Sequence, residues 1–310
     1  MFTNSASPLD ILLWAFTGIV SIVCLLGNGF ITAVQGQQWL QNKKILTCEF
    51  LLISLSTSRF VMQLLYSVNA LLYFISPETH VESSRQAAIN IISLFFNMAS
   101  LWSATWLSVF YCVKITNFAN RVLLWLKPRI NMLAPRLLGM SIVISSISFL
   151  LPLVEYFGHK KCGNLSETLP GSDIHSGFYH KIFFIFLPLM FAYTCINCTI
   201  SIAASILLVN SLWKHIKNLK KSGAGVTDLS TQVHIKVIIF LLFYVFLFFL
   251  YFSIIITFAV NGITFRNTEI LALKTMTTTF PSAHSIILIL TNPKLKEMAA
   301  CILNIRQRTS

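Results

Sequence analysis

The sequence predicts an all-α membrane protein, a bundle of seven transmembrane helices that forms one domain over residues 1–310. Hydrophobic residues make up 55% of the chain and charged residues only 11%, whereas a soluble domain carries about 25% charge. Long runs nearly without charge recur along the chain, each close to the ~20 residues that span hydrocarbon. The connections between these runs are short, so no soluble domain fits between them.

Seven apolar runs are long enough to be spans. The first is expected to stay in the membrane, because the ten residues before it lack the basic start of a signal peptide. The fifth is long enough to extend beyond the bilayer. The runs lie at about residues 11–34, 47–75, 87–113, 132–157, 181–211, 235–260 and 270–291.

The positions of Lys and Arg predict the orientation. Sixteen of the 23 lie after spans one, three and five and in the C-terminal tail, and six lie on the other side. The positive-inside rule places the richer side in the cytoplasm, so the N-terminus is predicted to be extracellular. Asn164 begins an Asn-Leu-Ser glycosylation acceptor in a loop that this topology places outside. The net charge of +13 does not indicate nucleic-acid binding, because the cations are scattered through short loops.

A specific family pattern follows the third span. Residues 101–118 read LWSATWLSVFYCVKITNF, and residues 124–130 read LWLKPRI. This block resembles the third helix and second cytoplasmic loop of the type 2 taste receptors, the bitter taste receptor family. The family pattern there is Leu-Trp, then Phe-Tyr-x-x-Lys-Ile-x-x-Phe, then Leu-Trp-Leu-Lys-x-Arg-Ile. Residues 114–131 are accordingly expected to form a basic loop against the inner leaflet.

Further stretches resemble the same family over nearly the whole chain. The larger rhodopsin-like family has Asp-Arg-Tyr after span three, where this chain has Phe110-Tyr111-Cys112. The vomeronasal type 1 receptors, a pheromone-type family, share part of the seventh-helix pattern and remain an alternative. The matching stretches are GNGFI at 27–31, LSTSRF at 55–60, SLWKHIKNLKKSG at 211–223, DLSTQVHIK at 228–236 and HSIILILTNPKLKEM at 284–298.

The resemblance implies a G-protein-coupled receptor in the plasma membrane that detects small bitter organic compounds. Its expected partners are these ligands, a heterotrimeric G protein with a gustducin or Gi-like α subunit, and membrane lipids. We expect no enzymatic activity, cofactor or metal, since no paired intramembrane Asp and no nucleophile motif is present. Homo- or hetero-oligomers are left open.

Arg59 lies inside span two, roughly 18–20 Å along the helix at 1.5 Å per residue. A charge at that depth costs ~2.5–3.5 kcal/mol on insertion scales, so it must face the bundle and find acceptors. No Asp or Glu lies near the middle of any span; Asn28, Ser54, Ser285 and backbone carbonyls are candidates. The resemblance implies an inner polar network of Asn28, Arg59, His284 and Ser285 that sets the inactive and active packings. The alternative is an Arg that extends to water through a cleft.

The resemblance also implies a ligand cavity in the outer half of the bundle. Asn97 on span three matches an Asn that often lines it, and Ser93 replaces the usual Trp, which enlarges the pocket. Asn90 is a further lining group. Tyr251 matches a pocket aromatic on the sixth span, and Lys274 would favour anionic or strongly accepting ligands. For each, the alternative is an ordinary interhelical hydrogen bond or a core aromatic.

The cytoplasmic end is the expected G-protein surface. Cations at helix ends are often only topogenic charges attracted to anionic lipid, but at some positions the family motif also matches. The residues expected to face the G protein are Tyr111, Lys114, Lys127, Arg129, His215 and His234.

Two rival functions, an opsin and a transporter, are disfavoured. An opsin would use Lys274 for a retinal Schiff base, but this lysine lies close to the end of its span and no buried carboxylate is available as a counter-ion. A transporter is disfavoured because no inverted repeat or buried acidic pair is present.

Pro188 and Pro281 are natural places for helix kinks. The tail after Pro293 predicts an amphipathic helix on the inner leaflet, and Cys301 within it is a candidate for palmitoylation.

Overall fold

The computed structural model describes residues 7–43, 45–75, 84–116, 121–163, 174–221 and 267–302, together with 238–239, 242–243, 245–250, 252–253 and 256–257. These residues form an all-α bundle, with no strand among them. The helices are α1 (Pro8–Asn42), α2 (Thr47–Ile75), α3 (Ser84–Ile115), α4 (Arg121–Gly163), α5 (Ile174–Lys221), α6 (Asn267–Thr291) and α7 (Pro293–Ile302). The described residues of 238–257 are also helical and are called the sixth-span segment.

Five stretches within the described residues are long and apolar enough to cross a membrane. They lie in α1 to α5 and match the first five predicted spans. Helix α6 matches predicted span seven and is more polar, because Thr275, Thr278, Ser282 and His284 lie on its buried side. The five stretches are Pro8–Gln41, Thr47–Leu72, Ile92–Ile115, Leu124–Ser148 and Phe191–Asn218.

The ends of α1 follow from local chemistry. Ser7 caps the helix by accepting a hydrogen bond from the Asp10 backbone N–H, and the Asp10 carboxylate accepts one from the Ser7 backbone N–H. Pro8 occupies the first turn, where its missing N–H costs nothing. The helix ends at Lys43, whose φ of 52° is left-handed and whose N–H donates to the Trp39 carbonyl.

The structure corrects the predicted basic loop after span three. Helix α4 begins at Arg121, so residues 121–131 are helical, and the basic Trp-containing stretch is the first part of α4. This stretch is rich in Leu, a good helix former, and the Arg129 guanidinium donates 3.1 Å to the Trp125 carbonyl one turn back. Helix α3 ends at Ile115, where the Thr116 backbone N–H donates to the Cys112 carbonyl.

Helix α3 lies between α2, α4 and α5 and carries much of the core. Its Trp102, Leu107 and Phe110 pack with Leu51 of α2 and Ile130 of α4 in one buried cluster. On the far side of the bundle, α1 packs against α2 and α6. The short helix α7 joins this side: its amphipathic form was predicted, and its Leu295 is fully buried in a cluster with α1.

Polar side chains connect neighbouring helices along their length. In lipid there is little hydrophobic drive between helices, so packing and interhelical hydrogen bonds stabilise the bundle. Two hydroxyl pairs, two contacts between a hydroxyl and a side-chain amide, and one contact between an indole N–H and a hydroxyl make these links. They are Thr17–Thr275 (2.5 Å) between α1 and α6, Gln63 to Ser21 (2.8 Å) between α2 and α1, Ser54–Ser103 (2.9 Å) between α2 and α3, Thr105 to Asn197 (2.8 Å) between α3 and α5, and Trp106 to Ser141 (3.1 Å) between α3 and α4.

Helices α1 and α6 approach closely at Gly27. A Cβ atom at this position would lie 2.5 Å from the Ser285 Oγ and 3.2 Å from the Ser285 Cβ. The Ser282 hydroxyl donates 3.1 Å to the Val20 carbonyl two turns away, so the backbones stay close along this contact. Gly27 is therefore required by the α1–α6 contact and not by its backbone conformation.

We predict that Gly27→Ala lowers the melting temperature of the purified protein by several degrees. The added methyl overpacks a buried contact, which costs typically ~1–3 kcal/mol and outweighs the higher helix propensity of Ala. Gly36→Ala is the matched control, because a Cβ there meets no atom within 4 Å. Equal melting temperatures for the two variants would contradict the close approach.

Candidate ligand and switch sites

Arg59 is buried in the middle of the bundle, with 1% of its surface exposed. Its Nη1 lies 2.5 Å from the Nδ1 of His284 on α6. Its Cζ also lies 5.5 Å from the centre of the Phe280 ring, one turn before His284, in a cation–π contact. The charge of Arg59 therefore joins α2 to α6 through the ring nitrogen of His284 and the ring face of Phe280.

The contact fixes the protonation of His284. A guanidinium only donates hydrogen bonds and stays protonated in proteins. The Nδ1 of His284 must therefore accept, which leaves the ring neutral with its proton on Nε2. A neutral His next to an Arg avoids placing two buried cations side by side. It also supplies the acceptor that no carboxylate near the middle of a span provides.

The other two members of the predicted inner network bond within their own helices. Asn28 is fully buried, and its Nδ2 donates 2.9 Å to the Cys24 carbonyl. Ser285 is also fully buried and donates 2.8 Å to the Ser282 carbonyl. Ser54, a candidate acceptor for Arg59, instead pairs with Ser103 of α3. Of the four predicted residues, the structure brings Arg59 and His284 into direct contact.

An aromatic path leads from this contact towards the sixth-span segment. The Phe280 ring stacks on His284 at 6.1 Å and meets Phe248 of the sixth-span segment at 5.6 Å. Phe248 and Phe280 belong to a buried cluster with Met98 and Leu101 of α3 and Cys198 of α5. The path thus connects α3, α5, α6 and the sixth-span segment to the Arg59 contact.

The predicted ligand residues on α3 lie just beyond this cluster. Ser93 is fully buried, and its Oγ has no hydrogen-bond partner among the described residues. Asn97 is partly buried, next to Met98. Tyr251 and the side chains of Asn90 and Lys274 lie outside the described residues.

A groove of about 530 Å³ lies between α5 and the sixth-span segment. It is lined by Cys195, Cys198, Ile202, Phe249 and Phe252, with three small or branched α5 residues between them. Ser93 and Asn97, the predicted ligand residues whose side chains the structure describes, are not among its lining. Several lining side chains are exposed on the outer surface of the bundle, so the groove faces the lipid and differs from the predicted ligand cavity.

The predicted G-protein residues occupy different environments at the bundle end that carries α7, called the inner end below. Lys114 is exposed, with its Nζ 5.9 Å from the Phe110 ring. Tyr111 is partly buried against Leu208 and Leu212 of α5. Lys127 is partly buried and donates 3.4 Å to the Thr116 carbonyl. Arg129 is exposed, His234 lies outside the described residues, and so does the side chain of His215.

Sequence reasoning missed a set of contacts at the start of α2. Here Thr47, Cys48 and Glu49, called the α2 clasp, each contact a different helix. The Thr47 hydroxyl donates 2.8 Å to the Asn131 carbonyl of α4, and Cys48 interacts with the Tyr111 hydroxyl of α3. The Glu49 carboxylate pairs at 3.3 Å with Lys294 of α7.

Part of the α2 clasp had a signal in the sequence. Glu49 is one of only ten acidic residues, and it lies at the same predicted membrane face as the tail cation Lys294. Opposite charges at one face of a charge-poor bundle favour an ion pair. Thr47 and Cys48 gave no such signal, since their partners depend on the helix packing.

Comparison with known proteins identifies the chain's relatives. The family model for taste receptor protein (TAS2R) matches residues 6–307. The chain is 32% identical to taste receptor type 2 member 8 of Gorilla gorilla gorilla over 299 residues, which cover 92% of this chain and 93% of that receptor. It is 32% identical to taste receptor type 2 member 10 of Papio hamadryas over 286 residues, covering 91% and 90%. It is 34% identical to taste receptor type 2 member 41 of Rattus norvegicus over 228 residues, covering 71% and 72%.

These matches confirm the resemblance that the third-helix block indicated, and they favour it over the vomeronasal and transporter alternatives. The family is one of receptors and not of enzymes. Its members are multi-pass membrane proteins with seven transmembrane helices, in agreement with the all-α bundle and its apolar helices. The chain belongs to the taste receptor protein family, the bitter taste G-protein-coupled receptors.

Proposed function

We propose that this receptor binds small bitter organic compounds in the outer half of the bundle and activates a heterotrimeric G protein at the inner end. The aromatic path from the α3–α5 cluster through Phe248 and Phe280 to His284 and Arg59 carries the proposal. It connects the region of the proposed ligand site to the buried charge of Arg59 through a series of packed side chains. The receptor acts at the plasma membrane with its N-terminus outside.

The ligand site is proposed around Asn97 and Ser93 on α3. The buried Ser93 hydroxyl, without a partner among the described residues, can hydrogen-bond a ligand. Asn90, Tyr251 and Lys274 are proposed to complete the site. Because the neighbouring cluster is apolar and aromatic, the site suits apolar compounds with one or two polar groups, and such sites bind many ligands with modest affinity.

The proposed mechanism is a shift between two packings. A ligand shifts their equilibrium only by the difference between its affinities for them. Phe280 touches both the sixth-span segment and the Arg59–His284 contact. A ligand that displaces the sixth-span segment therefore changes the environment of the Arg59 charge. Asn28 and Ser285 pack at the same level of α1 and α6 and are proposed to restrain the change.

At the inner end, the proposed G-protein surface includes Lys114, Lys127, His215 and His234, and a gustducin or Gi-like α subunit is the proposed partner. Tyr111 lies between α2 and α5 there and contacts both: it interacts with Cys48 of α2 and packs against Leu208 and Leu212 of α5. We propose that Tyr111 closes the inner end and turns away when the G protein enters.

The function is tested by calcium signalling in cells that express the receptor with a gustducin-type chimera and are exposed to a panel of bitter compounds. At least one compound should give a saturable response that disappears without the G protein. Confirmed surface expression with silence across a wide panel would contradict the proposal. A ligand-driven current without any G protein would also contradict it.

We predict that Tyr111→Ala raises basal signalling several-fold at equal surface expression. The change removes an aromatic ring from a packed contact between α3 and α5, and a shift of 1.4 kcal/mol already changes an equilibrium tenfold. Tyr111→Phe is the matched control, since it keeps the ring and should stay near wild type. Reduced basal and ligand-driven signalling in Tyr111→Ala would instead make Tyr111 a G-protein contact.

Lys114→Ala should lower ligand-driven signalling without raising the basal level.

A further inference from the structure

One side of α4 is exposed along much of its length. The exposed positions recur every three or four residues, which keeps them on one face of the helix. The opposite side is buried against α3, with Ile130, Ala134 and Leu138 almost fully covered. The large apolar side chains of the exposed stripe are Leu124, Trp125, Met132, Met140, Val143 and Ile147. In a membrane protein such a stripe is expected to face lipid, because hydrocarbon suits apolar side chains along the length of a span.

Two arginines lie on the same stripe. Arg129 follows Trp125 by four residues, and Arg136 follows Met132 by four; both side chains are exposed. The two arginines are seven residues apart, two turns or about 10 Å along the helix. Arg136 contacts no charged or hydrogen-bonding group among the described residues. Both cations therefore face the lipid side of α4.

Lys127 does not share the lipid-facing side of α4 with Arg129 and Arg136. It lies two residues before Arg129 and so points to a different side of the helix. Its Nζ donates to the Thr116 carbonyl at the end of α3, and its side chain is partly buried. Lys127 thus fixes the α3–α4 connection, while Arg129 and Arg136 remain available to a molecule outside the chain.

Trp125 and Arg129 form an ordered pair. The Arg129 Cζ lies 4.6 Å from the Trp125 ring centre, and Nη1 donates 3.1 Å to the Trp125 carbonyl. Trp is enriched at the level of lipid headgroups, and long Arg side chains extend from apolar surface to the same level. A guanidinium held in this way still has N–H groups that can donate to a phosphate. Its planar arrangement of donors matches the geometry of phosphate oxygens.

We propose that Arg129 and Arg136 bind the headgroup of an anionic phospholipid, with Trp125 packed beside it at the membrane interface. The charges complement a phosphate and a carboxylate, and the apolar stripe beyond Arg136, from Met140 to Ile147, lies along the acyl chains. This assignment replaces the expectation that Arg129 faces the G protein. The expected lipid preference does not depend on the ligand or on the G-protein partner.

The test uses the full-length receptor in nanodiscs of phosphatidylcholine that contain a small fraction of brominated lipid, which quenches nearby Trp fluorescence. The difference between wild type and Trp125→Phe isolates the Trp125 signal. Brominated phosphatidylserine should quench this signal several-fold more effectively than brominated phosphatidylcholine at the same fraction. The preference should fall to that of the bulk lipid in Arg129→Gln/Arg136→Gln.

Lys217→Gln is the matched control, because it removes an exposed cation at the inner end of α5 and should leave the preference unchanged. Equal quenching by the two lipids in wild type would overturn the proposal, as would a preference that survives in the double Arg variant. G-protein activation in nanodiscs of pure phosphatidylcholine should be the same for the double variant and wild type. A loss there would assign Arg129 to the G protein instead.

Discussion

The contact between Arg59 and His284 is the constraint on which the rest of the bundle depends. A buried guanidinium must have an acceptor, and removing one partner of a buried charged contact costs several kcal/mol. Helix α6 must therefore lie where Nδ1 of His284 meets Arg59. The close α1–α6 approach at Gly27 and the Thr17–Thr275 pair stabilise α6 in that position.

The same contact links the two ends of the receptor. On its outer side, Phe280 and Phe248 connect it to the α3–α5 cluster beside Asn97. On its inner side, the α2 clasp joins α2 to α3, α4 and α7. Helix α2 therefore carries a buried charge in its middle and three interhelical contacts at its inner end. In this chain, Phe110-Tyr111-Cys112 stands where the rhodopsin-like family has Asp-Arg-Tyr, and we propose that the arrangement around α2 takes over the role of that acid–arginine pair.

The sequence could predict what depends on composition and on family motifs. The apolar runs predicted the first five membrane helices, and the third-helix block identified the family. The burial of Arg59 followed from its depth in span two. Other features depend on how helices pack in space. Sequence spacing placed Lys127 and Arg129 in one basic loop, but the helical start of α4 turns them to different sides. Cys48 and Thr47 are ordinary residues whose partners only the packing determines.

The most direct test is a double-mutant cycle on the melting temperature of the purified receptor. It compares Arg59→Met, His284→Phe and the variant with both changes. His284→Phe alone should destabilise most, because it leaves a buried guanidinium beside a side chain that cannot accept. The double variant should recover much of the loss, with a coupling of more than about 1 kcal/mol. Additive effects, within ~0.5 kcal/mol, would contradict a direct contact between the two residues.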